Sequence, residues 1–139
     1  TQASVGLLAV ERLFAWTAWG IGKSWPSSVS LAAGTIALIV AGVGMNLGAL
    51  HLGQPLRAWR VFLGLRTSWL SREAVVLGKY MGLLAATVSM HMIHEYRDTL
   101  PQVLVELSDQ WIPDSLPSVI MSISLFVGAI GLYCSAMIY

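Results

Sequence analysis

The sequence predicts an all-α fold, a polytopic bundle of transmembrane helices, and three observations carry that prediction. Apolar residues make up 56% of the 139-residue chain and charged residues only 11%, with a mean hydropathy of +0.71. Soluble domains carry about a quarter charged residues. The chain has no Asp, Glu, Lys or Arg between Lys23 and Arg57, and none from Ser115 to Tyr139. Each of those runs exceeds the roughly 20 residues that a helix needs to cross a bilayer core.

Four apolar segments follow in order. The first, Thr1 to Gly22, is interrupted by Glu11 and Arg12. Neighbours on a helix point about 100° apart, so these two are not expected to face each other. Arg12 is instead expected to snorkel toward the end where the helix emerges. The second segment, Ser28 to Leu50, is the purest: "SVSLAAGTIALIVAGVGMNLGAL". The third runs from Ala74 to His94 and tolerates Lys79, and the fourth runs from Leu116 to Tyr139. The chain opens apolar without Met and stops without a polar tail, so both ends read as cuts within helices and residues 1–139 as a single transmembrane domain from a longer protein.

Gly44 and Gly48, and likewise Gly78 and Gly82, are four apart, a spacing that lets membrane helices approach closely. Asn46 is expected to hydrogen-bond to a neighbouring helix. The connecting segments differ in charge. Residues 20–30 carry only Lys23, whereas 50–73 hold Arg57, Arg60, Arg66 and Arg72 against Glu73, net +3. Counting Lys and Arg alone places that second connection in the cytoplasm. The third connection, His94 to Pro117, is net −4 and reads as solvated chain with a short amphipathic turn around "LVELSDQW".

The net charge of +1 gives no reason to expect a nucleic-acid partner. The single cysteine, Cys134, cannot supply the four thiolates of an iron–sulfur cluster.

The stretch "LHLGQPLRAWRVFLGLRTSWLSRE", Leu50 to Glu73, holds the most chemistry. Gly53 and Pro55 are stop signals for the second helix. Ser68 or Ser71 can cap the third, with Glu73 in its first turn. The resulting hairpin returns His51 and Glu73 to one membrane face. A quinol needs an apolar slot near the interface, acceptors for its two hydroxyls and an exit for its protons. His51 can accept a proton near neutral pH. Glu73 can relay it to water. Trp59 and Trp69 offer flat walls, and the arginines keep Glu73 ionised. Each residue also has a plainer role: Trp and Arg as interfacial anchors, Glu73 as a helix N-terminal charge, His51 as a cap.

His91 and His94, three apart on the third helix, raise a second possibility, b-type haem held between helices. His94 adjoins Glu95, Arg97 and Asp98 and belongs at the interface, with His91 one turn deeper. The second and third helices run antiparallel, so His51 and His91 fall at opposite faces, which argues against a haem within this chain.

"HLGQPLRAWR" followed by "SWLSRE", with "TQASVGLLA" at the start, resembles the membrane anchor subunit of dimethyl sulfoxide reductase and related molybdenum oxidoreductases. The resemblance implies an eight-helix protein of which this chain is the N-terminal half, its first helix entered partway. It implies a menaquinol-oxidising site with His51 and Glu73 as quinol-binding and proton-accepting residues; on the chemistry of the hairpin, Arg57, Trp69 and Arg72 would support it. It also implies no haem or iron–sulfur cluster in this chain, but an iron–sulfur electron-transfer subunit and a molybdopterin catalytic subunit as partners, on the cytoplasmic membrane of a bacterium or archaeon. The long acidic third connection departs from the pattern, and no site residue is carried across it. The competing expectations are a purely structural anchor and a haem b cytochrome subunit.

Overall fold

The computed structural model describes residues 2–50, 66, 68–111, 113 and 115–138. Four long helices dominate: α1 (Gln2–Gly20), α2 (Ser27–Leu50), α3 (Trp69–Glu95) and, after the short α4 (Gln102–Trp111), α5 (Leu116–Ala136). A single 3-10 turn, Arg97–Thr99, precedes α4. Three helices, α2, α3 and α5, are long and apolar enough to cross a membrane. At about 1.5 Å per residue their lengths meet or exceed the roughly 30 Å hydrocarbon core. The fourth long helix, α1, is not among those three candidate spans, yet it packs into the same bundle.

The helices close a ring in which α1 packs on α2, α2 on α3, α3 on α5 and α5 back on α1, with α3 and α5 sharing the largest contact. Every neighbouring pair is antiparallel. One core runs through the ring, with Val5 and Leu8 from α1, Ala37 and Ala41 from α2, Tyr80 and Leu84 from α3, and Met121 from α5. The i,i+4 spacing of the α2 and α3 pairs puts them on one helix face. The outer faces keep large apolar side chains such as Ile39, Val43, Phe126 and Ile130 exposed. That arrangement suits a lipid solvent, in which apolar outer surface carries no penalty.

The closest helix approaches among the described residues do not use Gly48, Gly78 or Gly82. A Cβ built on Gly131 would lie 2.7 Å from Leu77 Cδ2, one on Gly128 2.9 Å from Val5 Cγ2 and 3.2 Å from the Tyr80 ring, and one on Gly34 3.1 Å from Val88. Gly48, Gly78 and Gly82 meet nothing within 4 Å. Spacing alone does not say which helix face is inward: Gly128 faces the bulky Tyr80, whereas Gly78 and Gly82 lie on the outer face of α3. Asn46 likewise bonds within its own helix, its Nδ2 donating to the Gly42 carbonyl at 2.8 Å.

The end of α1 is fixed by backbone geometry. Gly22 adopts a positive φ of 72°. The Lys23 N–H reaches the Ala18 carbonyl (2.8 Å) and the Gly22 N–H reaches that of Trp19 (3.0 Å), the paired bonds of a Schellman stop. The third connection contains more helix than its composition suggests, since the amphipathic turn extends to the ten residues of α4.

Candidate functional site

The ends of α2 and α3 define the end of the bundle where the sequence places a site. His51 and Arg57 lie outside the described residues. Leu50, the neighbour of His51, is the last residue of α2, and α3 begins at Trp69, so the chain returns to this end within the hairpin. Ser68 is the N-cap of α3, its hydroxyl accepting from the Ser71 N–H at 3.4 Å. The helix therefore starts five residues before the expected Ala74, and Trp69, Arg72 and Glu73 all stand on it. Glu73 is consequently in the second turn, not the first, and the helix has no acid in its first turn.

Two of the contacts that hold Arg72 fix its guanidinium. Its guanidinium lies 4.6 Å from the centroid of the Trp69 ring, and one of its nitrogens donates to the Arg66 carbonyl at 3.0 Å. Trp69 in turn packs edge-on against Tyr133 of α5, with centroids 6.4 Å apart. Desolvated cation–π pairs are worth up to about 2 kcal/mol, exposed ones less. Glu73 is half-buried beside this cluster. The arrangement places a carboxylate, a fixed guanidinium and a flat indole together where α3 begins and α5 ends. Such a group can hold a proton-accepting carboxylate next to an aromatic head that enters from lipid.

At the other end of the bundle the structure corrects an expectation. Glu11 and Arg12 do meet: Arg12 donates from Nε to Glu11 Oε2 and from a terminal nitrogen to Oε1, and both residues are buried. The angle of about 100° between neighbours applies to the Cα–Cβ directions; two long side chains can still swing round the helix and converge at their tips. Arg12 therefore does not snorkel to water. Ser30 of α2 completes the network, its hydroxyl donating to Glu11 Oε1 at 2.6 Å and accepting from Arg12 at 3.1 Å. The Trp25 indole N–H adds a third bond to Oε1 at 3.1 Å. Two opposite charges inside an otherwise apolar helix were the signal available in the sequence.

His94 is exposed and His91 buried, its Nδ1 3.0 Å from the Thr87 carbonyl.

Comparison with known proteins settles the family. The family model of the DMSO reductase anchor subunit (DmsC) matches residues 1–139. The chain belongs to the DMSO reductase anchor subunit family. It is also 40% identical, over 105 residues, to a sulfite dehydrogenase subunit of Allochromatium vinosum, a match covering 75% of this chain and 30% of that protein. The chain thus spans less than a third of the length of that relative. No solved structure matches.

Proposed function

We propose that this chain forms a quinol-reacting part of the membrane anchor of a molybdopterin enzyme complex, multi-pass in the cytoplasmic membrane, with the reaction at the α2–α3 hairpin. The observation that carries this reading is the placement of Glu73, with Trp69 and Arg72, at the bundle end where α2 finishes one residue before His51. Menaquinol enters from the lipid side between apolar walls. His51 accepts the hydrogen bond and then the proton of one hydroxyl. Glu73 accepts or relays a proton toward water, and Arg57 and Arg72 hold its charge. Loss of two protons and two electrons converts quinol to quinone. The electrons pass to an iron–sulfur partner subunit, because the one cysteine here, buried Cys134, cannot hold a cluster. A molybdopterin partner then reduces the terminal acceptor.

The kinship with a sulfite dehydrogenase favours a second reading for the direction of flow. A dehydrogenase releases electrons, so the same hairpin would reduce quinone, with His51 and Glu73 returning protons instead of removing them.

The test is His51→Ala in the full-length subunit assembled with its partners. Quinol-coupled turnover should fall about 100-fold, the lower range for removal of a proton-transfer group. Turnover with an artificial donor or acceptor that bypasses the membrane should persist. Unchanged quinol coupling would leave the hairpin an anchoring and docking loop.

A further inference from the structure

A second site lies at the end of the bundle opposite the hairpin. A cavity of about 600 Å³ opens between the end of α1, the first turn of α2, the last turns of α3 and the first turns of α5. Its polar end holds Arg12, Lys23, Ser30, His91 and Ser118. Its other wall is apolar, formed by Trp16, Val119, Ile123 and Phe126, and these are exposed on the outer face of α1 and α5. The cavity therefore joins a polar chamber to a greasy groove that faces lipid.

Three features define what the chamber accepts. First, two long helices, α2 and α5, begin at it, and neither has an acidic residue in its first turn. Helix N-termini carry partial positive charge and favour anions. Second, Lys23 adds a cation on a loop that the Gly22 stop holds in place. Glu11 is paired with Arg12, whereas the Glu95 carboxylate accepts the Ser27 hydroxyl at 2.8 Å and so already meets the start of α2, which leaves Lys23 and the start of α5 as the groups open to an anion. Third, His91 is only 8% exposed, and its Nδ1 faces a carbonyl, which can only accept. That nitrogen donates, and Nε2, with no partner among the described residues, is the ring atom left for a ligand. A ligand filling this chamber must bring an anion for the start of α5 and Lys23, and a hydrogen-bonding hydroxyl for His91.

We propose that this cavity binds the headgroup of an anionic phospholipid of the phosphatidylglycerol type. Its phosphodiester meets Lys23 and the N-terminus of α5, its glycerol hydroxyl hydrogen-bonds with His91 Nε2, and its acyl chains lie in the groove lined by Trp16, Ile123 and Phe126. Trp16, Trp19 and Trp25 surround the mouth, as tryptophans do at headgroup depth. A quinone ring could accept a hydrogen bond from Lys23 but, being uncharged, would bring no anion for it or for the start of α5. This assignment is independent of the quinol reading at the hairpin.

The experiment reconstitutes the full-length subunit into bilayers of phosphatidylethanolamine and phosphatidylglycerol and identifies retained lipid by native mass spectrometry. Phosphatidylglycerol should be enriched about fivefold over its bulk fraction, the factor one lysine near an anionic lipid surface supplies. Lys23→Gln, on an exposed loop, should abolish the enrichment, and Ser122→Phe, which fills the cavity from α5, should do the same. Retention at the bulk ratio, or enrichment unchanged in both variants, overturns the proposal. Displacement by inorganic phosphate would reassign the chamber to a soluble anion. Displacement by a short-chain quinone, or exclusion of all lipid by further protein, would likewise overturn it.

Discussion

The Glu11–Arg12 pair is stable only as a unit. Glu11 Oε1 receives bonds from Arg12, Ser30 and Trp25, and Arg12 spends its Nε on Oε2. Removing one partner strands a buried charge, which costs about 3–5 kcal/mol. Glu11→Ala should therefore lower the detergent or thermal midpoint of the full-length subunit sharply. The double change Glu11→Leu with Arg12→Met should recover most of the loss, because both charges leave together. If the double variant is as unstable as the single, the network has a role beyond neutralising itself. The adjacency of the two residues was plain in the sequence, but their pairing was not, because it depends on where Ser30 and Trp25 bring their hydrogen bonds. At the hairpin the Ser68 cap was legible, and the start of the helix moved from Ala74 to Trp69.

Element boundaries show why some of the fold could be read and some could not. Length and the absence of charge locate α2 and α5 well, since both are properties of the segment alone. Ser68 also fulfils its expected capping role. The inward face of each helix is a property of the assembly, which is why Gly128 and Gly131, and not Gly48, Gly78 or Gly82, make the close contacts. Gly131→Leu should force α5 from α3, since even the first added carbon would lie 2.7 Å from Leu77. Overpacking of this kind costs about 1–3 kcal/mol. Gly78→Leu, with open space at its Cβ, should be near neutral in the same thermal assay. Equal losses for the two would mean that the α3–α5 contact is not the close one. The Gly22 stop belongs to the same scale: Gly22→Ala places a side chain at φ 72°, and should cost about 1 kcal/mol.

At the scale of the whole molecule, the antiparallel ring assigns its two polar ends to opposite sides. Arg66, Trp69 and Glu73 lie where α3 begins, and Lys23, His94 and the cavity lie where α1 and α3 end. About 40 Å of helix separates the two ends of α3, at 1.5 Å for each of its 27 residues. A membrane around the bundle must therefore leave Lys23 and Arg66 in different aqueous compartments. Both are exposed, and the native Cys134 is buried, so single cysteines at these positions report cleanly. Lys23→Cys and Arg66→Cys should react with a membrane-impermeant maleimide from opposite faces, one in intact cells and the other only in inverted vesicles. On the count of arginines at the hairpin, Arg66 is expected on the cytoplasmic side. Labelling of Arg66→Cys in intact cells with Lys23→Cys protected would keep the topology and invert its orientation, putting the proposed quinol chemistry on the outer face. Labelling of both from one face would contradict the α2–α3 crossing itself, and with it the separation of the hairpin from the cavity.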